Sequence, residues 1–137
     1  MRLLDTNILS EIIRPRPDAQ VVNTLLAQPV GSLYASELTR FELRRGAFLR
    51  EDPDALWSRI REFILPLVQW LPVNDAISLR AGELSARLRL QGREIGVVDT
   101  LLAATAQARG LVMVTRNLRY FERIEGLRLE NWFDPQP

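Results

Sequence analysis

A chain whose first strand stops on an acid has few folds open to it. Arg2-Leu3-Leu4-Asp5-Thr6-Asn7 is a short apolar run ended by a carboxylate and two small polar residues. Such a run reads as a buried strand with the acid where the strand stops. Ligand sites of open α/β sheets lie outside the carboxyl ends of their strands, so Asp5 is a candidate for chemistry. Asp is also a favoured helix cap, and a cap for the helix Asn7 to Ile13 is the plain alternative.

The rest of the chain alternates in the same way. Pro15 and Pro17 stop the first helix. Asp18 caps a second, with Val21, Val22, Leu25 and Leu26 at helical spacing. Gly31 to Ala35 reads as a strand and Ser36 to Leu49 as a helix. Asp52 and Asp54 flank Pro53 at the start of another helix, whose buried stripe reads as Trp57, Ile60, Ile64 and Leu67. Trp70 to Val73 is a short strand, and Asn74 caps a helix that runs to Leu90 and closes at Gly92. Asp99 opens a helix that is apolar almost all round and ends at Gly110. Leu111 to Thr115 and Leu127 to Leu129 are the last strands, and the tail from Asp134 reads as frayed. Strands alternating with helices argue for an α/β fold, a mostly parallel sheet covered on both faces. With 137 residues and no linker or repeat, residues 1–137 are expected to form a single domain.

Composition narrows the chemistry. Histidine and cysteine are absent, and every one of the 18 basic residues is Arg. That removes the commonest general base, thiolate chemistry, Schiff bases and the lysine of a nucleotide-binding loop. Carboxylates, hydroxyls, Arg and a bound metal remain, and hard oxygen ligands point to Mg²⁺ or Mn²⁺. A net charge of +1 carries no global nucleic-acid signature. No apolar run approaches a membrane span, and a cytoplasmic location is expected.

Most of the 17 acids sit where a solvated role is the default; Glu51, Asp52, Asp54, Glu83, Glu125 and Asp134 are of this kind. Three do not. Asp5 ends the first strand. Glu42 lies close in angle to a stripe of Leu38, Phe41, Arg45 and Leu49 that reads as core-facing, where it is either functional or paired with Arg45. Asp99 precedes a buried helix, as a site residue or as its cap. Together they would repel one another, and a divalent cation is the natural neutraliser. Asn117, just past the strongest strand, is the fourth candidate, with a turn role as the alternative.

The stretches LLDTNILSE, SELTRFELRRG, GREIGVVDTLLAATAQARG and VTRNLRYFERIEGLRLENW, in this order and spacing, resemble the PIN-domain ribonucleases, and among them the VapC toxins of bacterial toxin–antitoxin pairs. The resemblance covers nearly the whole chain. It implies a PIN-like three-layer sandwich and a metal-dependent endoribonuclease. It matches Asp5, Glu42 and Asp99 to the family's metal-binding acids. Where the family often carries further acids, this chain has neutral Asn117 and Tyr120. The resemblance also implies a homodimer, silenced by a VapB-type antitoxin whose C-terminal segment wraps the toxin.

The expected reaction is hydrolysis of an RNA phosphodiester with Mg²⁺ or Mn²⁺ held by Asp5, Asp99 and Glu42. Thr6, Asn7, Thr115 and Asn117 would orient water or ligands. Arg14, Arg16, Arg116 and Arg119 are candidates for RNA phosphate contacts, with a solvated surface as the alternative. Leu25, Leu26, Trp57 and Phe63 are either core or an apolar groove for a partner helix. Two rival functions differ in class. An aspartyl phosphotransferase with Asp5 as nucleophile lacks the lysine such sites use. An interaction domain of the same fold with a degraded site would fit Asn117 and Tyr120.

Overall fold

A computed structural model of the chain describes residues 1–133. Five strands form one all-parallel sheet in the order β3-β2-β1-β4-β5. They are β1 (Arg2–Leu4), β2 (Leu33–Ser36), β3 (Gln69–Leu71), β4 (Val112–Val114) and β5 (Leu129–Glu130). Seven α-helices among the described residues connect and cover them: α1 (Thr6–Ile12), α2 (Ala19–Leu26), α3 (Glu37–Phe48), α4 (Pro53–Phe63), α5 (Asp75–Leu90), α6 (Val97–Arg109) and α7 (Leu118–Phe121). The sheet is wholly parallel, as the α/β alternation anticipates.

The layers follow from side-chain alternation along each strand. Leu4 and Val114 point into a core shared with Ile8, Leu9, Val21, Leu43, Ile60 and Ile64 of α1 to α4 and the turn after α4. Their neighbours Leu3 and Met113 point the other way, onto Leu84, Leu88, Leu102 and Phe121 of α5 to α7. The result is the expected three-layer sandwich. At the edge, Arg2 grips Glu130 of β5 through two hydrogen bonds of 2.7 and 3.0 Å and reaches Gln28 with a third.

Several local expectations need correction. The stripe Leu38, Phe41, Arg45 and Leu49 does not face the core: Phe41 is 59% and Leu49 70% exposed, and α3 instead buries Thr39, Leu43 and Ala47. Small side chains complete that buried stripe, because α3 packs closely against β2 and α1. Leu67 lies beyond α4 in a 3₁₀ turn and is 37% exposed. Gly31 stands in a turn before β2, at φ +79°. The third strand starts at Gln69 and ends at Leu71 rather than Val73. Asp99 is not the cap of α6; Gly96 is, and Asp99 lies in the first turn. Leu127 precedes the last strand, which is Leu129–Glu130. The tail from Asp134, expected to fray, lies outside the described residues, as does the expected solvated role of Asp134.

Candidate functional site

The strand order puts a topological switch between β1 and β4. The chain leaves β1 toward β2 on one side and returns through β4 on the other, so the crossovers diverge and open a crevice at the strands' carboxyl ends. β1 and β4 are in register, Leu4 beside Val114, and the Asp5 amide donates to the Val114 carbonyl at 2.9 Å. Asp5 and the segment Thr115-Arg116-Asn117 therefore meet at the crevice. Asp5 does cap α1, since Oδ1 accepts from the Thr6 amide at 2.7 Å. The other oxygen, Oδ2, accepts from the Thr115 hydroxyl at 2.9 Å. Capping and site placement are thus compatible in one side chain.

A pocket of about 430 Å³ opens here. It is lined by Asp5, Thr6, Asn7, Ser10, Glu11, Arg14, Glu42, Asp99, Arg116, Asn117 and Phe133. Glu42 arrives from the middle of α3. It makes no ion pair with Arg45 among the described residues; instead the Thr6 hydroxyl donates to its Oε1 at 2.6 Å and lies 3.2 Å from Thr39 Oγ1. Thr6 thus binds two acids at once, Asp5 through its backbone and Glu42 through its side chain. Asp99 arrives from the first turn of α6.

Burial, at 6% exposure, pushes the Asp5 carboxyl up to about 6 against the pull of its Thr115 and Thr6 hydrogen bonds, and the charges of Asp99 and Glu42 add to the rise. Asp99 is raised too, first by burial and then by Glu42. Three acids therefore feel one another electrostatically. Among the described residues no three acidic groups are drawn together tightly enough to enclose an ion as they stand. Repulsion acts through space, whereas coordination needs oxygens at about 2.0–2.6 Å from the ion. The donor chemistry fits a hard divalent cation, with all-oxygen ligands and three formal negative charges. A further oxygen fits it as well: Asn7 Oδ1 is buried on the pocket wall with no hydrogen-bond partner among the described residues, a state that calls for a ligand or water.

Asn117 lines the same pocket and caps nothing through its side chain, while its amide donates to Thr115 Oγ1 at 3.1 Å. Its carbonyl also accepts from Tyr120, as a turn residue's would. Tyr120 points elsewhere, exposed and outside the pocket. Of the four arginines singled out, Arg14 and Arg116 stand at the pocket, Arg116 stacked over the Phe133 ring at 4.3 Å. Arg16 is exposed in the turn after α1 and is not among the residues lining this pocket, and Arg119 belongs to a neighbouring pocket. Thr115 is fully buried beneath Asp5.

Sequence reasoning missed Glu11. It is 5% exposed, lines the pocket, and accepts from the Asp18 amide at 2.9 Å and from Arg14 at 3.2 Å. The signal was present: Glu11 follows Asn7 by one helical turn, on the same face. It holds the α1–α2 turn closed beside the pocket. Replacing Glu11 by Ala is expected to cost about 1–2 kcal/mol by stranding the Asp18 amide, as read by urea unfolding; an unchanged midpoint would deny it that role.

A larger groove of about 940 Å³ runs between α1, α3 and α4 and shares Ser10, Arg14 and Glu42 with the acidic pocket. Its apolar floor is Ile13, Leu43, Leu56 and Ile60, and none of Leu25, Leu26, Trp57 or Phe63 lines it. Leu25 is core, and Trp57 packs on the core and stacks with Arg44.

The family model of the PIN domain matches residues 2–127 of the chain. A tRNA(fMet)-specific endonuclease VapC of Shigella flexneri is 35% identical over 130 residues, covering 95% of this chain and 96% of that protein. Toxin FitB of Neisseria gonorrhoeae is 32% identical over 139 residues, covering 98% and 100%. Among solved structures, a DNA-bound VapBC from Salmonella typhimurium superposes with a TM-score of 0.84 at 31% identity, covering 96% of this chain and 97% of that one.

Proposed function

This chain belongs to the PIN-domain family, and from that premise we infer that it is the toxin of a VapBC-type toxin–antitoxin pair, an endoribonuclease that hydrolyses RNA phosphodiesters. Members of such a family of hydrolases work with a divalent metal; we assign Mg²⁺ or Mn²⁺ to this one, with Asp5, Asp99 and Glu42 as its ligands. The observation that carries the assignment is the meeting of three acids from the end of β1, α3 and α6 with Asn7 Oδ1, which has no partner among the described residues, at the switch point.

A bound cation supplies polarisation of the phosphoryl oxygen and an activated water. The chain's own residues do the rest. Thr6 and Thr115 hold Asp5 and Glu42 in fixed rotamers, so that little reorganisation is needed when the phosphate arrives. Asn7 and Asn117 offer amide oxygens to water or to a ligand sphere. With no histidine in the chain, a carboxylate is the side chain left to take a proton from water. Arg14 and Arg116 flank the pocket mouth and meet the RNA phosphates.

The partner reading follows from the same membership. A VapB-type antitoxin would lay its C-terminal segment along the groove between α1, α3 and α4, whose shared wall leads to Glu42. We place the toxin in the cytoplasm as a homodimer. No described helix is long and apolar enough to cross a membrane.

The test is cleavage of a mixed RNA pool by the purified protein. Fragments should form with Mg²⁺ or Mn²⁺ and cease on chelation; intact RNA with either cation would overturn the reading. Asn117 adds a finer prediction. It keeps an oxygen but lacks a charge, and cation affinity depends on ligand charge. Asn117→Asp should lower the Mg²⁺ concentration for half-maximal cleavage, and Asn117→Ala should slow cleavage far less than Asp5→Ala. Superimposable Mg²⁺ titrations for wild type and both variants would leave Asn117 a turn residue only.

A further inference from the structure

The acidic pocket repels the substrate it must hold. Four carboxylates, Asp5, Glu11, Glu42 and Asp99, line it, and RNA brings further negative charge. The attraction that binds a polyanion must then come from cations outside the reacting centre. Arg14 and Arg116 at the mouth supply part of it, but each also holds a contact within the protein, Arg14 with Glu11 at 3.2 Å and Arg116 over Phe133 at 4.3 Å.

A second pocket, of about 440 Å³, is lined by Gly92, Arg93, Arg119, Glu122 and Arg123. None of its three arginines makes an ion pair among the described residues, and Glu122 pairs with none of them. Three unpaired like charges against one acid is a standing invitation to an anion. The pocket has firm walls. Gly92 takes φ +68° to end α5, and the Arg93 amide donates back to the Leu88 carbonyl at 2.8 Å, which fixes the backbone that carries Arg93. Arg119 of this pocket stands two residues after Asn117 of the acidic one, so their Cα atoms are at most about 7 Å apart. Arg116 precedes α7, Arg119 lies within it and Arg123 in the turn that follows, so one short segment carries arginines of both pockets.

We propose that the Arg93, Arg119 and Arg123 pocket is a phosphate-binding site that grips the RNA backbone beside the nucleotide being cut. Guanidinium groups match phosphate oxygens bidentately, so the grip is for backbone and reads no base. Proximity to Asn117 favours RNA over an acidic protein segment, because a strand seated in the acidic pocket has its next phosphates within reach of Arg119. The inference rests on the ribonuclease reading, and its test is built to fail separately from it.

The measurement is fluorescence anisotropy of a labelled single-stranded RNA of mixed sequence with the full chain, in chelator so that nothing is cut. Arg93→Gln combined with Arg123→Gln should raise Kd by about tenfold, the scale of one charge-assisted hydrogen bond. The slope of log Kd against log salt should fall by about 0.7 for each phosphate that the variant no longer neutralises. Glu122→Gln should shift binding the other way, a gain that a misfolded variant would not give. With Mg²⁺, the double variant should raise KM on long RNA and leave cleavage of a dinucleotide unchanged. An unchanged Kd and salt slope overturns the proposal. So does weaker binding of the antitoxin with RNA binding intact, which would assign the pocket to the protein partner. Wild type that binds RNA through these arginines yet cuts nothing with any cation would sink the ribonuclease reading alone and uphold the grip.

Discussion

Asp99→Asn is expected to lower RNA cleavage by about 10³-fold or more, the scale of removing a charge aimed at a reacting centre, while the metal-free protein melts at the same temperature or higher. The amide has the carboxylate's shape and lacks its charge. In the metal-free fold that charge is a burden, since burial and Glu42 both raise the Asp99 carboxyl above its ordinary range. A purely structural acid in the first turn of α6 would behave otherwise. It would contribute about 0.3–1 kcal/mol through the helix dipole, so Asn would lower the melting temperature and leave cleavage within a few-fold. Cleavage of an RNA pool and thermal melts in chelator, run on the same preparation, separate the two.

The second large effect is a dependence of the metal-free fold on pH. Asp5 holds its proton up to about 6 in the folded chain and loses it near 4 when unfolded. Between those values the folded state binds more protons, so stability falls as pH rises through that window. The penalty is absent below about 4, where both states are protonated, and complete above about 6. Its full size is up to about 3 kcal/mol at neutral pH. Glu130, lowered by Arg2, contributes with the opposite sign at lower pH, so the wild-type curve alone is not the readout. The readout is the difference between wild type and Asp5→Asn. In urea unfolding with chelator, the variant should gain on wild type from pH 4 to pH 7. Divalent cation added at neutral pH should close much of that gap, since a ligand bound only to the folded state stabilises it. A constant difference across the range would mean that Asp5 ionises normally.

Asp5 was legible from sequence because a strand so short leaves little doubt where it ends, and a parallel sheet makes that end a crevice. Asp99 was legible as an inward acid, though not as a first-turn residue; Gly96 caps α6 without a side chain and so leaves no cap signal. Glu42 was singled out on a mistaken face. The large residues Phe41 and Leu49 suggested the core side, but α3 packs through Thr39, Leu43 and Ala47, and small or polar side chains carry a weak periodic signal. Glu42 stands at the border of that true stripe. Helix α7 has only four residues, too few for any periodicity to show. Glu11 looked like one more helical acid, and only the closure of the α1–α2 turn over it reveals its burial. Convergence itself, the meeting of residues from β1, α3, α6 and the end of β4, is a property of topology that no local pattern encodes.

The bond between Asp5 and Thr115 spans 110 positions of the chain, and this separation sets an order of events in the cell. Parallel pairing of β1 with β4 cannot form until the chain has been made past Val114, because the partner strand follows so far behind. Until then β1 has only β2 beside it, and the crevice has a single bank. The acids of the crevice therefore lack their second wall for as long as the chain up to β4 is still being made.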